Sequence, residues 1–225
     1  MKKFAIIVAG GSGSRMGGGI PKQFRTLCSR PVLWWSMKAF HEENPDTRLI
    51  LVLPREFINL WDEIFSSLPA NDRFPHEVAV GGNSRTESVK NGLMLAVDSD
   101  SLVAVHDAAR PLVTAAIISK GWATAEEYGA AIPVVAVTDS LRTVESFPSR
   151  AVNRDEFVAV QTPQVFKTHI LKKAYEEAGD EVFSDDATAV EQSGEAVTLF
   201  QGTHYNMKVT NPKDMAIAEA IMADV

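Results

Sequence analysis

The sequence predicts an α/β fold in which a mostly parallel sheet is sandwiched between helices. Three observations predict it. Short, continuous apolar runs recur along the chain, helical patterns separate them, and glycine-rich or charged segments follow the runs repeatedly. An uninterrupted apolar run suits a strand covered on both faces, the usual condition of a parallel sheet. Strands alternating with helices imply right-handed crossovers. Ligands in such sheets sit beyond the carboxyl ends of the strands.

The expected strands are Phe4 to Ala9, Leu49 to Leu53 closed by Pro54, Val78 to Val80 before Gly81-Gly82, Leu102 to Val105, and Ala130 to Val135. Leu33, Met37 and Phe40 share one helix face, with Pro31 near the start, where its missing N–H is tolerated. Phe57, Leu60, Ile64 and Leu68 repeat that spacing, as do Val89, Leu93 and Val97. Later, Ile170 to Ala178 and Pro212 to Met222 read as helices, and Ala196 to Phe200 and Tyr205 to Val209 as short strands. Residues 139–164 break the rhythm. There Thr143-Val144 and Phe157 to Val160 are expected as the two limbs of a protruding β-arm. The pattern supports two readings of it equally: an arm packed against a second subunit, and a hairpin lying on its own domain. The whole chain, 1–225, is expected to form one domain around one core.

Composition narrows the class. Of 225 residues, 45% are hydrophobic, and 29 acidic against 22 basic residues leave a formal net charge of -7. A net negative chain has no overall attraction for nucleic acid or an anionic membrane, so neither is expected as a partner. The single cysteine, Cys28, excludes an internal disulfide. The apolar run after Met1-Lys2-Lys3 is too short for a signal peptide, and no stretch reaches the length of a membrane span. A cytoplasmic protein is expected.

The strongest local feature is Ala9-Gly10-Gly11-Ser12-Gly13-Ser14-Arg15-Met16, directly after the first strand. Its glycines let the backbone approach a ligand closely, and successive amides suit a phosphate chain. Arg15 adds a guanidinium fork, and Gly17-Gly18-Gly19-Ile20-Pro21-Lys22 ends in a second cation. A Walker loop is excluded because no Gly-Lys-Ser/Thr follows. The dinucleotide fingerprint fails at its third glycine, where Met16 stands, and lacks its later acid.

Two further strand ends carry chemistry. His106-Asp107-Ala108-Ala109-Arg110-Pro111 follows the fourth strand. Asp107 there suits either a magnesium ion, which needs few protein ligands beside substrate phosphates, or an ion pair with Arg110. Gly81-Gly82-Asn83-Ser84-Arg85-Thr86-Glu87-Ser88 opens a helix, with Ser84 and Glu87 at capping-box spacing and Arg85 facing the phosphates. Lys208 lies in Asn206-Met207-Lys208-Val209-Thr210, pointing away from both apolar neighbours. The five histidines are scattered and form no zinc motif.

Together with Pro21-Lys22-Gln23, Gln161-Thr162-Pro163-Gln164 and Asp185-Asp186-Ala187, these segments resemble the 2-C-methyl-D-erythritol 4-phosphate cytidylyltransferases along nearly the whole chain. The resemblance implies a Rossmann-like nucleotidyltransferase fold. It also implies transfer of CMP from CTP to methylerythritol phosphate in non-mevalonate isoprenoid biosynthesis, with magnesium, in a homodimer. Ribitol 5-phosphate is the alternative acceptor, because a related enzyme shares much of the pattern. Residue by residue it implies that Ala9, Gly10, Gly11, Ser12, Gly13 and Ser14 cradle CTP, and that Gly82, Asn83 and Ser88 surround the cytidine. Arg15, Lys22, Lys208 and Asp107 are implied as catalytic, Asp107 also as the metal ligand. Asp107, Arg110, Ser140, Thr162 and Lys208 are implied in the acceptor pocket, with Arg154 supplied by the partner through residues 139–164. Members often carry aspartate where Asn83 and Asn153 stand, and threonine in place of Ser140.

Overall fold

The computed structural model describes residues 1–10, 20–144 and 148–223. In chain order the elements are β1 (Lys2–Val8), β2 (Thr26–Leu27), β3 (Arg30–Pro31), α1 (Val32–Glu43), β4 (Arg48–Leu53), α2 (Ile58–Ser67), β5 (Glu77–Val80), α3 (Arg85–Leu93) and β6 (Ser101–Asp107). Then follow α4 (Ala115–Tyr128), β7 (Ala130–Ala136), β8 (Leu141–Arg142), β9 (Ala151–Val152), β10 (Val158–Val160), β11 (Gln164–Lys167), α5 (Thr168–Glu177), α6 (Asp186–Gln192), β12 (Thr198–Gln201) and α7 (Pro212–Ala223).

The main sheet confirms the predicted class. β5, β4, β1 and β6 pair in parallel, and so do β12 and β7. Between β6 and β7 runs β11, antiparallel to both. β10 pairs antiparallel with the far end of β7. β7 therefore has β12 along one edge and the consecutive stretches β10 and β11 along the other, with Gln161 N donating to Pro133 O at 2.8 Å between them.

Alternation along the strands sorts side chains into two cores. Ala5, Ile7, Leu49, Leu51 and Leu53 face α1, α2 and α4, where Trp34, Phe40, Trp61 and Trp122 close the layer. Phe4, Ile6, Ile50, Val52, Val103 and Val105 face α3 and α5, with Val89, Leu171 and Tyr175. Each fully buried Leu, Ile or Val contributes about 1.5–3 kcal/mol relative to exposure. Gly92 lets α3 lie close on the sheet, since a Cβ there would meet Ile6 Cγ2 at 2.7 Å. Among the described residues no helix is long and apolar enough to cross a membrane.

Three local expectations are corrected. The arm hairpin is β8 with β9, while Val158–Val160 returns to the main sheet. Tyr205 to Val209 is irregular, because its backbone bonds point singly to Ala109 and within the turn, not along a strand. α3 stops at Leu93, which leaves Val97 exposed. The α2 pattern holds: Phe57, Leu60 and Ile64 pack on the core and Leu68 is buried, with Trp61, whose Nε1 donates to His76, the deepest residue of the helix.

Candidate active site

The carboxyl ends of β1, β5 and β6 open into a cleft of about 240 Å³. Its walls are Ala9 and Gly10 after β1, Gly82, Asn83, Arg85 and Ser88 around the start of α3, Asp107 and Ala108 ending β6, and Lys22 and Lys208. A larger apolar groove of about 970 Å³ lies beside Trp35, Leu112 and Met222 and holds none of the convergent groups of the cleft.

The wall of the cleft at the start of α3 is set by capping. Ser84 Oγ accepts from Glu87 N at 3.0 Å, and Glu87 Oε2 accepts from Asn83 N at 2.7 Å. Ser88 Oγ accepts from Gly82 N at 3.1 Å and donates to Ser84 O at 2.8 Å. These four bonds fix the course of the loop. Gly82 has no room for a side chain, since a Cβ would meet Glu87 at 2.2 Å.

The charged side centres on Asp107. Lys208 Nζ lies 2.9 Å from Oδ2, Arg110 Nε 3.6 Å from Oδ2 and Arg85 Nε 3.7 Å from Oδ1. Burial alone would raise the carboxyl's pKa, but Lys208, Arg85 and Arg110 together hold it well below the usual carboxylate range. It is therefore ionised at every physiological pH.

The loop after β6 is braced from below. Thr162 Oγ1 accepts from Asp107 N at 3.1 Å and sits 3.1 Å from His106 Nδ1. His106 Nε2 lies 3.2 Å from Arg110 O. A proton on Nε2 bonds that carbonyl and leaves Nδ1 to accept from Thr162. Burial pushes His106 down to about 4, so it stays neutral. Arg110 Nη1 donates to Asn206 O at 2.8 Å, Asn206 Nδ2 donates to Thr162 O at 2.8 Å, and Val209 N donates to Ala109 O at 2.8 Å. Lys22 Nζ donates to Val209 O at 2.9 Å, and Gln23 Nε2 donates to Ala9 O at 2.7 Å. These contacts gather four distant segments at one cleft.

The comparisons with known proteins agree along the chain. A sequence model described as 2-C-methyl-D-erythritol 4-phosphate cytidylyltransferase matches residues 4–224. The chain belongs to that family. A Bacteroides thetaiotaomicron member is 43% identical over 222 residues, covering 99% of this chain and 100% of the relative. A Clostridium perfringens member is 38% identical, with 97% of each chain covered. The crystal structure of a member from Thermus thermophilus is similar at a TM-score of 0.78, with 32% identity and 100% of both chains covered. The protein is thus a cytidylyltransferase, a nucleotidyl-transferring enzyme.

Of the residues the resemblance implies, the structure brings Ala9, Gly10, Lys22, Gly82, Asn83, Ser88, Asp107 and Lys208 to one cleft. Arg110 reaches Asp107 from behind. Gly11, Ser12, Gly13, Ser14 and Arg15 lie outside the described residues. Thr162 is buried, its hydroxyl engaged with Asp107 N and His106. Ser140 and Arg154 are exposed and do not line the cleft of their own chain; Arg154 Nη1 donates to Thr138 O.

Two groups of site residues escaped the sequence reading. Gln23 and Asn206 are buried polar side chains that tie segments to the site, and each stood inside a noticed motif with no role assigned. The sequence marks Arg85, but its buried partner Asp186 lies 101 residues away. The adjacent acids Asp185-Asp186 at a helix start were the available signal: Asp185 is the cap of α6, accepting from Thr188 N. That accounts for one acid and leaves the other to explain.

Among the described residues, the cleft fits a divalent cation in one form. No group of three or more His, Cys, Asp or Glu side chains that could hold a metal occurs among the described residues. Asp107 is the carboxylate in the cleft, and the cations around it oppose an ion arriving alone. Magnesium suits such a site when phosphates bring it and one carboxylate completes the hold.

Proposed function

We propose that the protein transfers CMP from CTP to 2-C-methyl-D-erythritol 4-phosphate, releasing pyrophosphate, as a step of non-mevalonate isoprenoid biosynthesis. The observation that carries this is the convergence of Lys22, Lys208 and the ionised Asp107 on a cleft whose other wall is the capped Gly82–Ser88 loop. The family descriptions of the relatives name that acceptor.

A phosphomonoester has its second pKa near about 6 and is already largely a dianion at neutral pH. The acceptor needs no general base. One of its phosphate oxygens attacks the α-phosphorus of CTP, a P–O bond forms, and the bond to pyrophosphate breaks, its electrons leaving with that group. The obstacle is the approach of two anions. In this reading Lys22, Lys208 and, from outside the described residues, Arg15 supply fixed positive potential, with amides of Ala9 to Ser14 along the phosphates. Asp107 would hold magnesium, which supplies Lewis-acid charge neutralisation on the phosphates. Gly82, Asn83 and Ser88 take the cytidine, and Asn83 can accept from the cytosine amino group. Arg110 and Thr162 shape the acceptor end through the Asp107 loop.

Residues 139–164 are read as an arm engaging a second copy, which would bring Arg154 and Ser140 to the neighbouring cleft. Exposure of Val144, Phe157, Val158 and Val160 supports this. The whole chain, 1–225, is read as one domain with this arm inside it.

The test is pyrophosphate release measured with four nucleoside triphosphates and two acceptors, methylerythritol phosphate and ribitol 5-phosphate, with and without magnesium. Release is expected only with CTP, methylerythritol phosphate and the ion. Faster release with ribitol 5-phosphate would reassign the acceptor.

A further inference from the structure

Arg85 opens α3 at the boundary between the nucleoside loop and Asp107. Its Nη2 donates to Asp186 Oδ2 at 2.6 Å. Asp186 is completely buried, and Tyr175 OH donates to its other oxygen at 2.6 Å. The backbone amides of Asp186 and Ala187 both donate to Gln164 Oε1 at 2.9 Å, so the carboxylate cannot drift. Gln164 is itself buried on β11, in register with Val105 of β6, two residues before Asp107. Arg85 is therefore clamped from behind onto the strand layer that carries Asp107.

Lys208 is held differently. It sits on an irregular segment, and its side chain is 43% exposed. A lysine on a flexible stem turns readily towards a new anion, whereas a clamped guanidinium does not. An incoming phosphate competes with Asp107 for Lys208. A buried carboxylate that loses one of its cations must be kept in position by those that remain, whether or not the phosphates bring an ion to it. Arg110 Nε, at 3.6 Å and likewise buried without a hydrogen-bond partner, is the other cation near it, but that side chain is tied through Nη1 to the carbonyl of Asn206, on the same irregular segment as Lys208, and not to a buried carboxylate. Arg85 Nε, at 3.7 Å from Oδ1, is close enough to shorten to a hydrogen bond, and Arg85 Nη1 is buried without a partner.

We infer that Arg85 is a positioning residue for the transfer reaction: anchored by Asp186 and Tyr175, it holds the Asp107 carboxylate in place while Lys208 is drawn to a phosphate. This rests on the roles proposed above for Asp107 and Lys208. Arg85 acts through Asp107, so its loss lowers turnover more than it weakens CTP binding.

The test is steady-state pyrophosphate release by Arg85→Gln, Arg85→Lys, the double variant Arg85→Gln/Asp186→Asn, and Asp107→Asn, with thermal melting of each. Arg85→Gln alone strands a buried charge and is expected to melt early. The double variant removes both charges and keeps an amide pair, so it isolates the effect on the reaction. It is expected to melt near the parent, with kcat lower by about ten- to a hundred-fold and KM for CTP within about three-fold. Arg85→Lys is expected to recover much of the lost kcat. A double variant with kcat within about two-fold of the parent, beside an impaired Asp107→Asn, overturns the inference alone. An Asp107→Asn enzyme of undiminished kcat overturns the site reading with it.

Discussion

Lys208 Nζ and Asp107 Oδ2 stand 2.9 Å apart, joining a half-exposed cation to a nearly buried carboxylate. The pair keeps the lysine at the cleft. Lys208→Ala is expected to lower kcat by about a hundred- to a thousand-fold, the usual effect of losing one preorganised donor. Lys208→Arg should recover only part, since a planar fork does not reproduce a point charge. Single-turnover kinetics with CTP measure it, and a kcat within about ten-fold of the parent in the alanine variant refutes the role.

Lys22 bridges to Val209 O across 187 positions of sequence. Lys22→Ala is expected to reduce turnover by about a hundred-fold or more while leaving the fold intact. Turnover at saturating substrate and a melting curve separate the two effects. Comparable turnover would show that the cation does not serve the reacting phosphates.

Gly92 sets how closely α3 approaches the sheet. An added methyl would press on Ile6 Cγ2 at 2.7 Å and Val52 Cγ2 at 3.1 Å. Gly92→Ala is expected to destabilise the protein by about 1–3 kcal/mol despite the better helix propensity of alanine. Urea unfolding reads this directly, and unchanged or raised stability would mean the helix shifts at little cost.

Stability should also depend on pH through His76. Burial pushes its pKa below the ordinary 6.5, against the opposing pull of Phe74 O and Asp62. Trp61 Nε1 donates to His76 Nε2 at 2.9 Å, so that nitrogen must be unprotonated. Above pH 6.5 the contribution is complete. As pH falls from there towards the folded-state value, the unfolded chain takes up a proton that the native ring refuses. Stability therefore declines over that window, with a slope of at most about 1.4 kcal/mol per pH unit from this group. Urea denaturation at several pH values, compared with His76→Gln, should show a flatter dependence in the variant. Parallel curves would remove His76 from the account.

The sheet was legible because its strands are covered on both faces and carry unbroken apolar runs, as Ile6-Ile7 and Leu49 to Leu53 show. The capping of α3 by Ser84 was legible because it is local. What escaped was non-local or specified by single contacts. Val158–Val160 looks like an arm limb, yet its partner is β7. Tyr205 to Val209 has strand-like residues, but Asn206 is buried through side-chain bonds to Gln161 and Thr162, which no periodicity records. The clamp on Arg85 is drawn from α5, α6 and β11, and only the folded chain brings those three to one point.

The insertion of β11 between β6 and β7 also governs the order in which the molecule can be completed. β7 is synthesised directly after α4, but the slot separating it from β6 is filled only when residues 164–167 have followed the whole 139–164 excursion. A nascent chain ending before that point has its two halves joined by α4 and nothing laid between their central strands. The active-site floor, which depends on Thr162 and Gln164, is thus among the later parts of the fold to close as the ribosome delivers the chain.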